Sequence, residues 1–171
     1  MKKITLYIAQ SLDGFVATKD GSVSWLDDYF DVDFGDYSYD KFEKGIDTIV
    51  QGSTTYDQFK PKYPGKNSYV FASDADGRNE EGTIFVKGEV KKFVDDLDEK
   101  THENIWLVGG PTLLAGFLNK KLVDEMIIFT MPVLLKEGIS LFSNIKVSPN
   151  ISLQKVKNYE KGVMVSHYNI K

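Results

Sequence analysis

The segment from residue 105 to residue 118 combines residue types that suit phosphate binding. Residues 105–108 are apolar and predict a buried strand, and Gly109 and Gly110 allow the backbone to turn sharply after it. Pro111 suits the first position of a helix, where its missing N–H costs nothing. A helix start next to glycines offers free N–H groups and the positive end of the helix dipole, which together attract anions. The segment therefore indicates a phosphate-binding turn, although an ordinary strand–helix turn would use the same residues.

A second turn of this kind follows the apolar residues 47–51. Gly52 comes first, and Ser53, Thr54 and Thr55 then open a helix predicted over residues 53–59, with Ser53 or Thr54 as its cap. Their hydroxyls and the first N–H groups of the helix are suitable donors to phosphate. Two such turns at strand ends predict a ligand that has phosphate groups and an extended body.

The composition excludes several classes of protein. The 171 residues carry a formal net charge of -4, and Arg78 is the only arginine, which argues against nucleic acid as a partner. The chain has no cysteine and its two histidines are far apart, so the sequence predicts no metal site. No apolar run reaches membrane-spanning length, and a cytoplasmic protein is expected. His102 is expected at the surface, and His167 in a structural position on a strand.

Hydrophobic periodicity predicts strands and helices that alternate along a single domain, residues 1–171. Strands are predicted over residues 3–11, 47–51, 68–72, 83–86, 105–108 and 123–132, and a terminal hairpin over residues 151–159 and 163–170. Helices are predicted over residues 36–44, 53–59 and 89–100 and from Pro111 onward, with a loop over residues 12–35. This pattern predicts an α/β fold, a three-layer, mostly parallel twisted sheet flanked by helices, with a C-terminal antiparallel hairpin. Ligands of such sheets bind beyond the carboxyl ends of the strands, where both glycine turns fall.

Four stretches of the chain, taken together, resemble the dihydrofolate reductase superfamily. They are residues 8–17, 47–56, 107–114 and 122–142, and they follow the expected order over nearly the whole chain. The likeness is closer to the reductase domain of the riboflavin pathway and its bacterial relatives. It implies a dihydrofolate reductase-like fold, NADPH as cofactor, and hydride transfer to a C=N bond or to a ribosyl-derived carbonyl or imine.

The resemblance also implies that twelve residues bind the cofactor. Ala9 and Val16 are expected to flank the nicotinamide, and Ser73 is expected near the adenosine ribose. The two glycine turns are expected to hold the pyrophosphate and the adenosine side, through Gly52, Ser53, Thr54, Thr55, Gly109, Gly110, Pro111, Thr112 and Leu113. A cis peptide bond between Gly109 and Gly110 is implied as well.

The sequence departs from the family pattern where the 2′-phosphate of the cofactor is expected. Many members have arginine or lysine directly after the glycine that corresponds to Gly52, and this chain has Ser53. Ser73, Lys87 or Arg78 could take over that contact, so the choice between NADPH and NADH stays open. The arginine that clamps folate is also missing from its expected stretch, where lysines cannot form the same bidentate pair. True folate reduction is therefore less favoured than reduction of another small heterocycle or sugar-linked imine.

Reduction of a pterin-like ring also requires a carboxyl group that helps to supply a proton. Four aspartates follow Trp25, at positions 27, 28, 31 and 33, and Asp28 best matches the tryptophan-then-acid arrangement of the family. Trp25 and Asp28 are therefore the predicted catalytic residues, with Asp28 buried beside Trp25 and its pKa raised. The alternative is that these aspartates form a solvated loop and that Trp25 fills a gap in the core.

These observations predict an NADPH-dependent oxidoreductase that acts on a small heterocyclic or ribosylamino-pyrimidine substrate, with riboflavin-pathway-like chemistry. Two alternatives stay open, a true dihydrofolate reductase and a non-catalytic dinucleotide-binding protein that has kept the fold. The missing arginines make the second alternative credible. The expected partner is a small molecule, without nucleic acid or membrane, and a homodimer through the terminal strands is a secondary expectation.

Overall fold

Ten strands and four α-helices make up the computed structural model, which describes residues 1–171. The strands are β1 (Lys3–Ser11), β2 (Phe15–Ala17), β3 (Thr48–Gly52), β4 (Asn67–Phe71), β5 (Ile84–Val86), β6 (Asn104–Gly109), β7 (Glu125–Met131), β8 (Ile139–Ser140), β9 (Ile151–Asn158) and β10 (Met164–Ile170). The α-helices are α1 (Tyr39–Lys44), α2 (Ser53–Phe59), α3 (Val90–Asp96) and α4 (Pro111–Asn119). Short 3-10 helices cover Ser24–Tyr29, Gly35–Tyr37, Ala75–Gly77 and Glu160–Gly162. None of these helices has the length and hydropathy that crossing a bilayer requires.

Eight strands form one sheet in the order β5–β4–β3–β6–β1–β7–β10–β9. The pairs from β5 to β7 are all parallel, whereas β10 runs antiparallel to both β7 and β9. The central strands are apolar because they are covered on both faces, and every residue of β3 except Gly52 is buried. The predicted α/β fold, with a mostly parallel sheet and an antiparallel C-terminal hairpin, is therefore confirmed.

The sheet carries a hydrophobic core on each face. Helices α3 and α4 cover one face, where Leu6, Leu107 and Phe117 are fully buried. Helix α1 and the 3-10 segments cover the other face, where Phe129 and Val165 belong to a second cluster. Each large apolar side chain that is fully buried contributes about 1.5–3 kcal/mol to stability. The result is the three-layer arrangement that the alternating pattern predicts.

The segment after α3 differs from the prediction. A helix was expected over residues 89–100, but α3 ends at Asp96 because Leu97 has extended backbone angles, with φ -68° and ψ 135°. His102 was expected at the surface and is buried instead. Its Nδ1 lies 3.0 Å from the Asp98 carbonyl oxygen, and its Nε2 lies 3.0 Å from the Tyr69 hydroxyl. The surface prediction is wrong because the turn before His102 brings the imidazole against β4.

Part of the stretch that was predicted as a loop forms a small ribbon, in which β2 pairs with β8. Gly138 precedes β8, and a Cβ at this position would lie 2.3 Å from the Ala17 carbonyl oxygen, so only glycine fits. The Asp13 carboxylate holds the same two segments together, because it accepts hydrogen bonds from the backbone N–H groups of Leu135 (3.2 Å) and Lys136 (2.7 Å). Two segments that are far apart in sequence are thus fixed side by side.

Candidate functional site

A cavity of about 950 Å³ opens at the carboxyl ends of β1 and of the parallel strands beside it. It follows the edge of the sheet. Ser73 and Lys87 lie beyond β4 and β5, the turns at Gly52 and Gly109 lie in the middle, and Ala9 lies on β1. The ribbon of β2 and β8 borders the cavity on the β1 side. Both its position and its size are typical of small-molecule sites in α/β proteins.

All twelve residues that were predicted to bind a cofactor line this cavity. They come from five separate parts of the chain, and only the fold brings them together: Ala9, Val16, Gly52, Ser53, Thr54, Thr55, Ser73, Gly109, Gly110, Pro111, Thr112 and Leu113. Their grouping around one cavity is a property of the structure. Their contact with a cofactor stays a prediction.

The two glycine turns meet at the centre of the cavity. Gly109 and Gly110 have φ values of +144° and +91°, which L side chains rarely adopt. A Cβ on Gly110 would lie 3.8 Å from the Cα of Gly52, so the two turns are in contact. The predicted cis bond between Gly109 and Gly110 is wrong, because every peptide bond in the chain is trans. Instead, the positive φ values of both glycines form the turn. The absence of side chains leaves an open space between the two turns, which we call the cradle.

The helix starts beside these turns present unused donors. Gly110 caps α4 without a side-chain hydrogen bond, and the first helical bond runs from Leu114 N–H to the Gly110 carbonyl oxygen, at 2.9 Å. The N–H groups of Thr112 and Leu113 therefore have no partner within the helix. The predicted cap of α2 by Ser53 or Thr54 is wrong, since Gly52 is the cap residue and no side chain bonds there. The hydroxyls after Gly52 are consequently free to meet a ligand.

The structure separates the three residues that could contact a 2′-phosphate. Arg78 does not line the cavity, because its guanidinium lies 4.2 Å from the ring of Phe85 and forms an ion pair with Asp57. The Arg78 guanidinium holds the pKa of the Asp57 carboxyl below its usual value. Ser73 and Lys87 do line the cavity, and the Lys87 side chain is more than half exposed. Lys87 is the one charged residue in the cavity wall.

Aromatic residues that the sequence reasoning missed line the β1 end of the cavity. Tyr7 stacks on Phe42 with 4.2 Å between ring centroids, and its hydroxyl donates a 2.8 Å hydrogen bond to the Tyr37 carbonyl oxygen. Burial raises the pKa of Tyr7, so the phenol stays neutral. Trp106 also lines this end. A strand periodicity of two puts Tyr7 on the same face as Ala9, and this signal was available in the sequence.

The predicted catalytic pair lies outside the cavity. Trp25 packs against the second hydrophobic cluster, and the neighbouring Leu26 lines the cavity instead. Asp28 is exposed, so the expected burial is wrong. In the 3-10 helix over Ser24–Tyr29, Leu26 and Tyr29 are three apart and both pack inward, whereas the two aspartates between them are exposed. The acidic run is therefore a solvated surface, and the geometry does not support a catalytic role for Asp28 or Trp25.

The sequence matches the profile of the RibD C-terminal domain over residues 2–165. Among curated proteins, it is 35% identical to the uncharacterised protein YwjB of Bacillus subtilis, over 98% of this chain and 97% of that protein. Among solved structures, it is similar to a candidate riboflavin biosynthesis protein from Shewanella sp. PV-4, with a TM-score of 0.84 and 27% identity over 99% of both chains.

Two further structures share the fold at lower identity. One is a diaminohydroxyphosphoribosylaminopyrimidine deaminase/5-amino-6-(5-phosphoribosylamino)uracil reductase from Thermotoga maritima, with a TM-score of 0.74 and 14% identity over 99% of this chain and 57% of that chain. The other is a dihydrofolate reductase from Enterococcus faecalis, with a TM-score of 0.67 and 18% identity over 99% of this chain and 96% of that chain. The chain therefore belongs to the RibD C-terminal domain family and has a dihydrofolate reductase-like fold.

Proposed function

We propose that this protein is a reductase that transfers a hydride from NADPH to a small ring compound. The observation that carries the proposal is the cradle of unused donors at the centre of the cavity. Two helix starts meet there, glycines keep the space open, and the hydroxyls of Ser53, Thr54 and Thr55 border it. Such an arrangement suits the pyrophosphate of a dinucleotide.

The polarity of the cavity supports one orientation of the cofactor. Ser73 and the cationic Lys87 lie at the β5 end, where they suit an adenosine that carries a 2′-phosphate. Ala9 and Val16 lie at the apolar β1 end, where they suit a nicotinamide ring. When bound, the nicotinamide supplies the hydride, and the surrounding residues orient it and keep water away. The Enterococcus faecalis structure was determined with NADP(H), which agrees with this class of cofactor.

Lys87 supports NADPH over NADH in this proposal. Family members commonly bind the 2′-phosphate with a cationic residue directly after the glycine that corresponds to Gly52. In this chain Ser53 occupies that position and cannot supply the charge. The Nζ atom of Lys87 lies 3.2 Å from the Asp76 carboxylate, at an exposed position where the pair is weak. The ammonium can therefore turn from Asp76 to a phosphate at low cost.

The absence of a carboxylate from the cavity wall bears on both alternatives to this proposal. No carboxylate lines the cavity, although a dihydrofolate reductase requires one to help protonate its substrate. This makes true folate reduction less suitable. It also agrees with the alternative of a dinucleotide-binding protein that has lost its chemistry.

Cofactor titration followed by turnover measurement tests the proposal. NADPH is expected to quench tryptophan fluorescence in a saturable way, because Trp106 lines the cavity. The variant Trp25→Phe serves as a control and is expected to keep this quenching, since Trp25 lies outside the cavity. Oxidation of NADPH is then followed with small pyrimidines, pterins and quinones as acceptors. Absence of binding of either NADPH or NADH at millimolar concentration would refute the proposal, and binding without turnover of any acceptor would favour the non-catalytic alternative.

A further inference from the structure

The half of the cavity next to β1 has a wall of apolar and aromatic side chains. Tyr7 and Trp106 form its aromatic part, and Val23, Leu26 and Val108 form its aliphatic part. We refer to these five residues as the ring half of the cavity. Aromatic walls of this kind contact planar rings favourably through stacked or edge-on packing.

The side-chain donors of both aromatic residues of the ring half, and one N–H of a nearby amide, are engaged within the protein. The indole N–H of Trp106 donates to the Tyr7 carbonyl oxygen at 3.2 Å, and the Tyr7 hydroxyl donates to Tyr37. The side-chain amide of Gln58, which also lines the cavity, donates to the Gly21 carbonyl oxygen at 2.8 Å. The five side chains of the ring half therefore offer a ligand apolar surface and no cation that could pair with an anion.

Charges near the ring half are also unfavourable to an anion. Asp27 and Asp28 are exposed on the 3-10 helix that supplies Leu26. Lys161 contacts the same helix, but its ammonium is paired with Asp31 and bound by the Asp28 carbonyl oxygen. A phosphate placed here would lose hydration, meet repulsion from the aspartates, and find no free cation in the wall.

The charge of Lys87 cannot serve the ring half. Lys87 follows β5, the outermost strand at one end of the sheet, whereas Tyr7 lies on β1, four strands away. Neighbouring strands are about 4.8 Å apart, so the two ends of the cavity are separated by roughly 19 Å. Under the proposed function, this cation belongs to the cofactor.

We infer that the substrate held in the ring half is a planar, uncharged ring compound that carries no phosphate group. This inference rests on the proposed function, since it assigns the adenosine and pyrophosphate of NADPH to the rest of the cavity and its nicotinamide to Ala9 and Val16, beside the ring half. It separates the chain from the Thermotoga maritima enzyme, whose name describes a phosphoribosylamino substrate. The same reductase fold would here act on a dephosphorylated or unrelated ring.

Matched ligand pairs that differ only in a phosphate test the inference. The protein is first loaded with NADP⁺, which blocks turnover, and calorimetry then measures the binding of 5-amino-6-ribosylaminouracil, riboflavin and the 5′-phosphate of each. The uncharged member of at least one pair is expected to bind about tenfold more tightly than its phosphate. Equal or tighter binding of the phosphates would overturn the inference, and so would failure of both uncharged compounds to bind. Absence of NADP⁺ binding in the first step would contradict the proposed function and not the inference about the substrate. The ligand pairs are therefore also titrated without NADP⁺, so that their order of affinity is measured in either case.

A charge placed in the ring half provides the second measurement. Leu26→Arg is expected to strengthen binding of the phosphorylated compounds about tenfold, with little change for the uncharged ones. Phe30→Arg is the matched control, because Phe30 follows the same 3-10 helix, is 79% exposed and does not line the cavity. No gain for Leu26→Arg, or an equal gain for Phe30→Arg, would contradict the assignment of the ring half as the site that rejects phosphate.

Discussion

The Thr55 hydroxyl faces the backbone of Gly110 across the centre of the cavity. A Cβ built on Gly110 would lie 3.7 Å from Thr55 Oγ1, in a space that both glycine turns leave open. A side chain at Gly110 would therefore strain the backbone, which has a φ of +91°, and would occupy part of this space. The effect of a side chain at this position on stability is measured by thermal unfolding, and its effect on cofactor binding is measured by titration.

Gly110→Ala is expected to abolish or strongly weaken NADPH binding, beyond its effect on stability. The matched control is Gly65→Ala, because Gly65 also has a positive φ (+76°) but has nothing within 4 Å of its Cβ position and lies outside the cavity. Both variants should lose stability by about 1 kcal/mol from backbone strain, and thermal unfolding measures this. Fluorescence titration should show lost affinity for Gly110→Ala alone. Equal affinities in the two variants would contradict the role of the Gly110 cradle.

Lys87→Gln is expected to weaken NADPH binding about tenfold while leaving NADH binding unchanged, because a charge-assisted contact to the 2′-phosphate is lost. The ratio of the two dissociation constants is the measurement. Lys92→Gln serves as the control, since Lys92 is an exposed lysine of α3 that is paired with Asp96 and does not line the cavity. An equal loss of affinity for NADPH and for NADH would mean that Lys87 contacts a part of the cofactor other than the 2′-phosphate.

Asp28→Asn distinguishes the predicted catalytic acid from a surface residue. Because Asp28 is exposed and lies outside the cavity, turnover of whichever substrate is found is expected to stay close to that of the unmodified protein. A fall of about 10²-fold, the scale of general acid catalysis, would show that the sequence-based assignment was correct after all. The measurement is kcat under saturating NADPH.

Asp13→Asn is expected to lower the melting temperature in a pH-dependent way. The Ser11 hydroxyl and the N–H groups of Lys136 and Leu135 hold the pKa of the Asp13 carboxyl below its usual value. A lowered pKa means that the carboxylate stabilises the fold above its unfolded pKa, and that this contribution is lost as the pH falls through the folded value. The difference between the two proteins should therefore be constant near neutrality and shrink below about pH 4. A difference that does not change with pH would mean that charge plays no part.

The edge strand β9 supports the homodimer that was expected through the terminal strands. We propose that two copies pair along this strand, because its outer edge has no partner in the sheet and Ile151, Leu153 and Val156 are 45–55% exposed. Sedimentation equilibrium is expected to give a dimer, and Leu153→Glu should shift it toward monomer. Gln154→Glu, at an exposed position of the same strand, adds the same single charge and serves as the control. A monomer at high concentration would remove the proposal.

The sequence predicted the strands and turns that carry strong local signals. The apolar runs of β3 and β6, each followed by glycine, leave few alternatives, and their turns do line one cavity. Helix α2 matches its predicted bounds of residues 53–59, because Gly52 and Ser53 mark its start. The position of both turns beside one cavity then follows from the rule that ligands of such sheets bind beyond the carboxyl ends of the strands.

The remaining features depend on contacts that have no local signal. The adjacent residues Trp25 and Leu26 give no indication of which side chain lines the cavity; both pack against the second cluster, and only Leu26 reaches the cavity. The strands β2 and β8 have three and two residues, too few for a periodic pattern. The burial of His102 likewise depends on Tyr69, which is distant in sequence.

The pairing of β1 has a consequence for how the chain is made. Its two neighbours in the sheet come roughly a hundred residues later, since Lys3 pairs with Asn104 and Thr5 with Glu125. At about 5–20 residues per second, a ribosome needs roughly 5–20 seconds to deliver those partners. During this delay the apolar β1 strand has no sheet to join and is open to chaperones or to other nascent chains. The floor of the cavity, which β1 shares with β6, is therefore completed late in synthesis.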